Sequence, residues 1–366
     1  MFIKNLSLRQ FRNLNNITIE FGRNYNIILG NNAQGKTNIL ESLFMLSTCK
    51  SHRIKEDQSL IQFNYNSCKI NCNVFDDSDL NLSLIIHEFG KSLFINKKMV
   101  DRVSKFIGKL NVVIFSPGDL NYFEDTPKYR RKIMDIEIGK ISQSYMNYLL
   151  VYSKYLKDRN ALLKSDRVKD EYFEIIEDEM IRAMSEIILF RRNFVDEINK
   201  VISKYYLKLS KESIDIKLEY YQVVSDLEKE DIINSLKDLF KKNRDKDEYY
   251  KTTTCGIHRD DTNFLFNGKK IYEVASQGQK RMVILSFKLA LLHYIKNITG
   301  KTPILLLDDV MSELDKHKRI NLFNAIPKEI QTIITTTDVD NLIDDINGEI
   351  KLFEVKDGFV KVMEDK

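Results

Sequence analysis

The residues best suited to chemistry lie at positions 30 to 37, "GNNAQGKT", directly after the apolar run "YNIIL". Gly30 and Gly35 permit a tight turn that brings backbone N–H groups up to an anion, and a helix starting just behind adds the positive end of its dipole. Asn31, Asn32, Ala33 and Gln34 form the cradle between them. Lys36 can reach the outer phosphates of a nucleotide, and the Thr37 hydroxyl can ligate Mg²⁺. A second set is "ILLLDD": Leu305, Leu306 and Leu307 read as strand core, Asp308 emerges at the carboxyl end to hold the Mg²⁺ shell, and Asp309 can polarise an attacking water. The third set is "ASQGQKR", residues 275 to 281. Ser276 is placed to cap a helix beginning at about Lys280, and Gly278 lets an anion approach the backbone. ATP and Mg²⁺ are the expected cofactors.

These groups need a scaffold, and the patterning supplies one. "FIKNLSLRQF" and "NITIEF" alternate as strands, "YNIILG" reads as a short buried strand, and "TNILESLFML" puts Ile39, Leu43 and Leu46 on one helical stripe. The runs "SCKINCNVF", "LNLSLIIHEF", "KSLFINKKMV" and "LNVVIFSP" predict an antiparallel sheet flanking a nucleotide-binding core. From about 128 to 209 the chain has no proline and the spacing changes to seven: Ile141, Tyr148, Tyr155, Leu162 with Leu149, Leu156, Leu163, then Phe173, Met180, Ile187, Phe194, Val201. Two long helices broken near "SDRVKD" would pack as an antiparallel hairpin. "IDIKLEYY" alternates again, and "EDIINSLKDLFKKNRDKD" reads as a helix. From about 254 come a hairpin turning at Asn267 and Gly268, a helix from Lys280 to Ile298, the strand "PILLLDD", a helix "KHKRINLFNAI", the strand "QTIITTT" and two closing strands. Strands alternating with helices beside apolar runs predict an α/β sheet with the helical segment inserted in it.

Composition bounds the classes. A chain of 366 residues with 43% hydrophobic and 30% charged residues is long enough for two units with sizeable cores. We expect no apolar stretch of membrane-spanning kind and no signal peptide, and therefore a cytoplasmic protein. Cys49, Cys68, Cys72 and Cys255 are irregularly spaced, as free thiols of a reducing compartment would be; the Cys68/Cys72 pair sits in a strand pattern without a second ligand pair. The formal charge of +4, from 57 basic and 53 acidic residues, is too even to imply a polyanionic partner. Any nucleic-acid surface must come from local arrangement. Two basic groups stand out: Lys128, Arg130, Arg131 and Lys132 around Tyr129, and Lys241, Lys242, Arg244 and Lys246. Either could neutralise phosphates without reading bases.

Nine stretches lie in an order that carries a resemblance: "LRQFRNL", "GNNAQGKTNILESL", "KSHR", "VIFSPGDL", "PKYRRKIMD", "GIHRDD", "ASQGQKR", "LLLDDVMSELD" and "TTTD". Together they resemble the RecF family of bacterial recombinational-repair ATPases, relatives of Rad50 and SMC heads. The resemblance implies an α/β, ABC-type ATPase head with mixed sheets and an inserted helical arm: head at 1–119, arm at 120–250, head again at 251–366. It implies an ATP-dependent homodimer that binds single-stranded, double-stranded and gapped DNA, hydrolyses ATP slowly, and promotes RecA loading with RecR and RecO in DNA replication, damage repair and the SOS response. By the same resemblance Gly30 to Thr37 hold ATP, Lys36 and Asp309 are catalytic, and Thr37 and Asp308 hold Mg²⁺. Ser276, Gly278 and Gln279 touch the γ-phosphate of a partner copy, the "SELD" segment ending in Asp315 contacts that copy, and Arg12 and Asn13 lie by the nucleotide. Thr336 and Thr337 stand where transporters carry a switch histidine, which fits slow turnover. Gly118 and Ile257 depart from the family pattern, which expects an acid and a proline there. Two other readings compete: the ATPase subunit of a transporter, with a membrane partner, and a scaffold that binds ATP without turnover.

Overall fold

Alternation in the first hundred residues produces an antiparallel sheet. The structure is a computed structural model describing residues 1–165, 171–338 and 342–363. Its elements begin with β1 (Phe2–Phe11), β2 (Leu14–Glu20), β3 (Tyr25–Leu29), α1 (Lys36–Thr48), β4 (Ser67–Asp76), β5 (Ser78–His87), β6 (Gly90–Ile95), β7 (Lys98–Val100), α2 (Val103–Phe106) and β8 (Val112–Phe115). The helical stretch comprises α3 (Pro127–Ile141), α4 (Gln143–Lys164), α5 (Glu171–Asn199) and α6 (Ile202–Ser210), followed by β9 (Ile216–Tyr221) and α7 (Lys229–Tyr250). The last third carries β10 (Asp261–Phe266), β11 (Lys269–Lys270), α8 (Ile271–Val274), α9 (Gln277–Thr299), β12 (Ile304–Asp308), α10 (Lys316–Ala325), β13 (Thr332–Thr336), β14 (Ile350–Lys356) and β15 (Phe359–Val362).

Contacts divide the chain into two units. The first comprises Met1–Leu120, Val201–Ile214 and Ala275–Lys366. It holds an antiparallel sheet of order β2-β1-β4-β5-β6-β7 and a second sheet of order β15-β14-β3-β13-β12-β8, parallel except for β15 at its edge. On β1 the buried face steps from Ile3 to Leu6 and Leu8, the extra residue being taken up by a bulge between Ile3 and Asn5. Helix α1 is buried on nearly every side, so its apolar stripe of Ile39, Leu43 and Leu46 extends around the helix. The run "LNVVIFSP" departs from expectation. Its strand β8 joins the parallel sheet beside β12, and all four residues are buried, the signature of a strand covered on both faces.

One buried amide ties the two sheets together. Gln331, just before β13, accepts from the Ile3 N–H through Oε1 at 2.7 Å, and its Nε2 donates to the carbonyls of Ile3 and Gly22 at 2.9 and 2.7 Å. Helix α9 is long and apolar enough to cross a membrane by length and composition, yet 72% of its most apolar window is buried within the fold. It packs against α6 and β8, and its buried Lys288 pairs with Asp119 at 2.7 Å. Asp119 also accepts from the Ser116 N–H at 2.7 Å, closing the turn that contains Gly118. The four thiols are buried, and burial pushes those of Cys68 and Cys255 up to about 12.

The second unit comprises Asn121–Lys200 and Asp215–Val274. It differs from the expected arm of 120–250 in two places. Residues 201–214 belong to the head, because α6 packs on α9 and α10 and the Leu209 carbonyl accepts from Asn321 Nδ2 at 3.0 Å. Residues 251–274 belong to the arm, because β10 pairs with β9 from Asp261↔Tyr221 to Phe266↔Ile216. Within the arm α4 and α5 run antiparallel, Tyr145 meeting Phe190 and Arg159 meeting Glu177. The break expected near "SDRVKD" falls mostly on 166–170, outside the described residues.

On α5 the heptad residues Phe173, Met180, Ile187 and Phe194 are all buried, while Val201 lies beyond the helix, at the N-cap of α6. On α4 the expected stripe is displaced. The fully buried seven-residue series is Tyr145, Tyr152 and Arg159, while Tyr148, Tyr155 and Leu162 are half-buried. The reason is polar satisfaction inside the core. Tyr145 donates to Asp135, Tyr152 bonds His258 Nδ1 at 2.6 Å, and Arg159 pairs with Glu177 and Asp247 at 2.6 and 2.8 Å. Arg191 binds Asp135 and Asp260 at 3.0 and 2.9 Å and donates to the Ile257 carbonyl at 3.1 Å, anchoring the turn where a proline was expected.

Candidate nucleotide site

The site is built from three neighbouring strands of the parallel sheet: β3 ends at the loop, β12 ends at the acids, and β13 lies between them. Gly35 has φ of 114°, a left-handed conformation that suits glycine, and a Cβ there would stand 2.8 Å from Leu14 Cδ2 and 2.9 Å from Asn13 Oδ1. Gly30 packs so closely on β14 that a Cβ would meet the Val355 carbonyl oxygen at 2.5 Å. Ala33 also takes a left-handed φ of 67°, and its carbonyl accepts from Asn13 Nδ2 at 3.2 Å. Gln34 Oε1 accepts from the Asp357 N–H of the β14–β15 turn. The loop is therefore braced from both sides, with Asn31, Asn32 and Ala33 left exposed at its crest.

Lys36 opens α1 with its side chain folded back, Nζ donating to the Gly30 carbonyl and to the Asn31 carbonyl at 3.0 Å. Burial lowers its pKa, opposed by Asp309 and Asp308. Thr37 Oγ1 donates to Asp308 Oδ1 at 2.9 Å, and Thr335 Oγ1 donates to the same oxygen at 2.8 Å. Burial raises the Asp308 pKa, while these two hydroxyls hold it down. Asp309 takes a left-handed φ of 50°, its N–H donates to Thr335 Oγ1 at 3.0 Å, and its buried Oδ1 has no partner.

These positions fit a divalent cation chemically. The Thr37 hydroxyl and Asp308 carboxylate are already in contact, and a second carboxylate beside them has an unsatisfied buried oxygen. Hard oxygen donors of this kind, few in number, suit Mg²⁺ bound together with nucleotide phosphates.

Arg12 and Asn13 both lie at the loop. Asn13 braces it, accepting from Asn38 Nδ2 at 2.8 Å as well as donating to Ala33. The Arg12 guanidinium is held by buried Glu41 through two bonds of 2.6 and 2.8 Å, so it fixes α1 from behind. Ser51 donates to the same carboxylate, and Arg53 lies 3.6 Å from it while donating to Asn38 at 2.9 Å. Glu41, Arg53 and Thr335 are the residues that sequence reasoning missed. "KSHR" and "TTTD" flagged the segments, but the roles of their side chains depend on strand and helix neighbours far away in the chain. Thr336 Oγ1 instead donates to the Asp338 carbonyl at 2.8 Å, and Thr337 is exposed.

The third set stands at the start of α9. Ser276 Oγ accepts from the Gln279 N–H at 3.2 Å and Gln279 Oε1 accepts from the Ser276 N–H at 3.0 Å, a capping box. Ser276 and Gly278 are exposed, and around Gly278 the space beyond the Ser276 hydroxyl is open. Arg281, one turn in, pairs with Glu313 at 2.6 Å, fastening α9 to "SELD"; Asp315 there caps α10 by accepting from the Lys318 N–H at 2.9 Å.

The basic groups are partly used internally. Arg130 binds Asp261 through two bonds of 2.7 and 2.9 Å, Arg131 donates to the Asp260 carbonyl, and Arg244 pairs with Glu177 at 3.0 Å. Arg130 is thereby spent inside the arm and Arg131 and Arg244 are partly engaged there, while Lys128, Lys132, Lys241, Lys242 and Lys246 remain exposed.

Known proteins share the sequence and fold of this chain. The profile of the RecF/RecN/SMC N terminal domain matches residues 2–361. The DNA replication and repair protein RecF of Streptococcus agalactiae serotype V (strain ATCC BAA-611 / 2603 V/R) is 37% identical over 368 residues, covering 100% of this chain and 99% of the relative. That of Geobacillus kaustophilus (strain HTA426) is also 37% identical, covering 98% and 99%. Among solved structures, the recombination mediator protein RecF with ATP in the RecFOR pathway superposes with a TM-score of 0.89 at 32% identity, covering 99% of this chain and 97% of that one. An Smc head bound to the C-winged helix domain of ScpA, at 17% identity and a TM-score of 0.56, shares the fold. With its loop, paired acids and capped helix set on a head of this kind, the chain belongs to the RecF family.

Proposed function

We propose that the chain is an ATP-controlled DNA-binding protein of replication and repair, which dimerises around ATP and clamps DNA. The observation that carries this reading is the exposed, pre-capped start of α9. Gly278 and the helix dipole face solvent there, and the Ser276 and Gln279 N–H groups, closed on each other's side chains in the capping box, would exchange those partners for the γ-phosphate held by a second copy. In each copy Lys36 exchanges its carbonyl partners for the β- and γ-phosphates. Thr37 and Asp308 would hold Mg²⁺, which when bound neutralises charge on the transferred phosphoryl group. Asp309 orients the attacking water through its unpartnered oxygen and accepts its proton. Thr335 keeps both acids in place. With threonines at 336 and 337 and no histidine there, turnover is slow.

The relatives' DNA replication and repair role, and the RecFOR pathway of the solved RecF, support DNA as substrate and RecR, RecO and indirectly RecA as partners in the cytoplasm. They give a transporter subunit no support. Sedimentation velocity tests the dimer: monomer without nucleotide and dimer with ATP and Mg²⁺ are expected, and Ser276→Arg should abolish the shift while mant-ATP still binds one chain. Normal dimerisation of that variant would remove the role given to α9.

A further inference from the structure

The antiparallel sheet has a second face, turned away from its apolar core, that is polar and carries cations without counter-charges. Register sets Arg9 on β1 beside Lys69 on β4, and the next row runs Ser7, Asn71, Ser83 and Phe94 across β1, β4, β5 and β6. With Lys97 at the β6–β7 turn, these residues line a concave cavity of about 770 Å³ whose wall contains no acid. Glu20, the acid in register with Asn5, stands at the β2 edge. Arg9, Lys69 and Lys97 are exposed, and among the described residues none forms an ion pair.

A second observation points to a ligand. Ser83 lines the cavity and is 5% exposed, and its buried Oγ has no hydrogen-bond partner. The amides beside it are in use, Asn81 Nδ2 donating to Asn71 and Asn73 at 3.1 and 2.7 Å. A buried hydroxyl left over in a polar cavity invites an oxygen from outside. The cations lie at opposite ends: Lys97 follows Asn96, whose Oδ1 accepts from the Asn81 N–H at 2.9 Å, and Asn81 is level with Asn73, about 13 Å along the strand from Lys69. The spacing suits a linear polyanion. Phe94, half-buried between Ser83 and the exposed Met99, offers a ring within the same groove.

We propose that this sheet face binds single-stranded nucleic acid, with Arg9, Lys69 and Lys97 on its phosphates and a base stacked on Phe94. A paired base could not reach a ring recessed in a groove, which favours a single strand over a duplex. Sequence tolerance follows, since each contact is to backbone or to a base face. The inference rests on the reading of the chain as a DNA-binding protein and adds a surface separate from the ATP-dependent clamp.

The test is titration of fluorescent oligo(dT) with the full chain, free of nucleotide, across a salt series. Arg9→Ala/Lys69→Ala/Lys97→Ala should weaken binding at least about tenfold and lower the log–log salt slope by about 2, three contacts at roughly 0.7 each. Phe94→Ala should weaken binding with the slope unchanged, and an iodouracil oligonucleotide should cross-link to Phe94. Unchanged thermal unfolding and ATP-dependent dimerisation certify each variant as folded. A triple variant with the wild-type slope overturns the site, as does equal affinity of the wild type for polyglutamate or for tripolyphosphate. If the wild type binds duplex with ATP but no oligo(dT) without it, only this inference falls. If it binds no DNA under any condition, the reading beneath it falls too.

Discussion

Two regions of this molecule bury charge, and they do so in opposite ways. In the arm, cations meet carboxylates directly: Arg159 lies between Glu177 and Asp247, and Arg191 between Asp135 and Asp260. At the nucleotide site the loop lysine and the two acids form no such pair, although Arg12 and Glu41 pair behind α1. Lys36 is held by carbonyls, Asp308 by two hydroxyls, and one Asp309 oxygen by nothing. Charges that neutralise one another make a core, while charges solvated by neutral dipoles can exchange those dipoles for a ligand of opposite sign. The difference separates scaffold from site without reference to any motif.

The comparison can be broken most forcefully in the arm. Arg159→Ala strands the buried Asp247 carboxylate and removes a guanidinium that also stacks on Phe173 and Phe240. It should cost about 3–5 kcal/mol in urea unfolding; a loss below about 1 kcal/mol would show that the pair is not structural. At the site, Asp309→Asn keeps the shape but not the basicity. Phosphate release should fall roughly 10²- to 10⁴-fold while mant-ATP affinity stays within about threefold, the range of ordinary context effects on a retained contact; a rate near wild type would pass the base role to another group. Lys36→Ala should weaken mant-ATP binding about ten- to a hundredfold, as loss of a charged hydrogen bond does, yet leave the urea midpoint nearly unchanged because the carbonyls it releases, of half-buried Gly30 and exposed Asn31, can be taken up by water.

The smallest effect samples both regions at once. Burial depresses the pKa values of His52 in the head and His258 in the arm to about 4. His258 is satisfied as a neutral ring, with Nδ1 on the Tyr152 hydroxyl and Nε2 on the Thr253 carbonyl. The unfolded chain therefore binds more protons than the fold between about pH 6.5 and 4. Stability present above pH 6.5 should be lost as pH falls through that window, with proton uptake on unfolding approaching one for each histidine. His258→Gln should flatten the dependence for the arm alone; an unchanged pH profile would contradict the buried neutral ring.

The site was largely legible in the sequence where its chemistry is local. Gly30 to Thr37, Asp308 with Asp309, and the Ser276 cap each declare themselves within eight residues, because backbone turns and helix starts need particular residues at fixed offsets. What escaped reading depends on distant partners. Thr335 joins the two acids only because β13 lies between β3 and β12, and Glu41 matters only because Arg12 comes to it from another strand. The fold shows the same division. The α5 stripe is made of plain hydrophobic residues and could be read, whereas the α4 stripe is Tyr145, Tyr152 and Arg159, buried through their polar ends. "LNVVIFSP" joins the parallel sheet and not the antiparallel one its alternation predicts, because a four-residue apolar run does not reveal which edge it will join.

The amide of Gln331 has a mechanical meaning. Two hydrogen bonds from one side chain reach Ile3 on β1 and a third the Gly22 carbonyl between β2 and β3, so separating the sheets there would leave buried polar groups unpaired. The antiparallel sheet is thus fastened at this point to the sheet that carries the phosphate loop. Gln331→Leu would remove that fastening and loosen the junction between the two sheets.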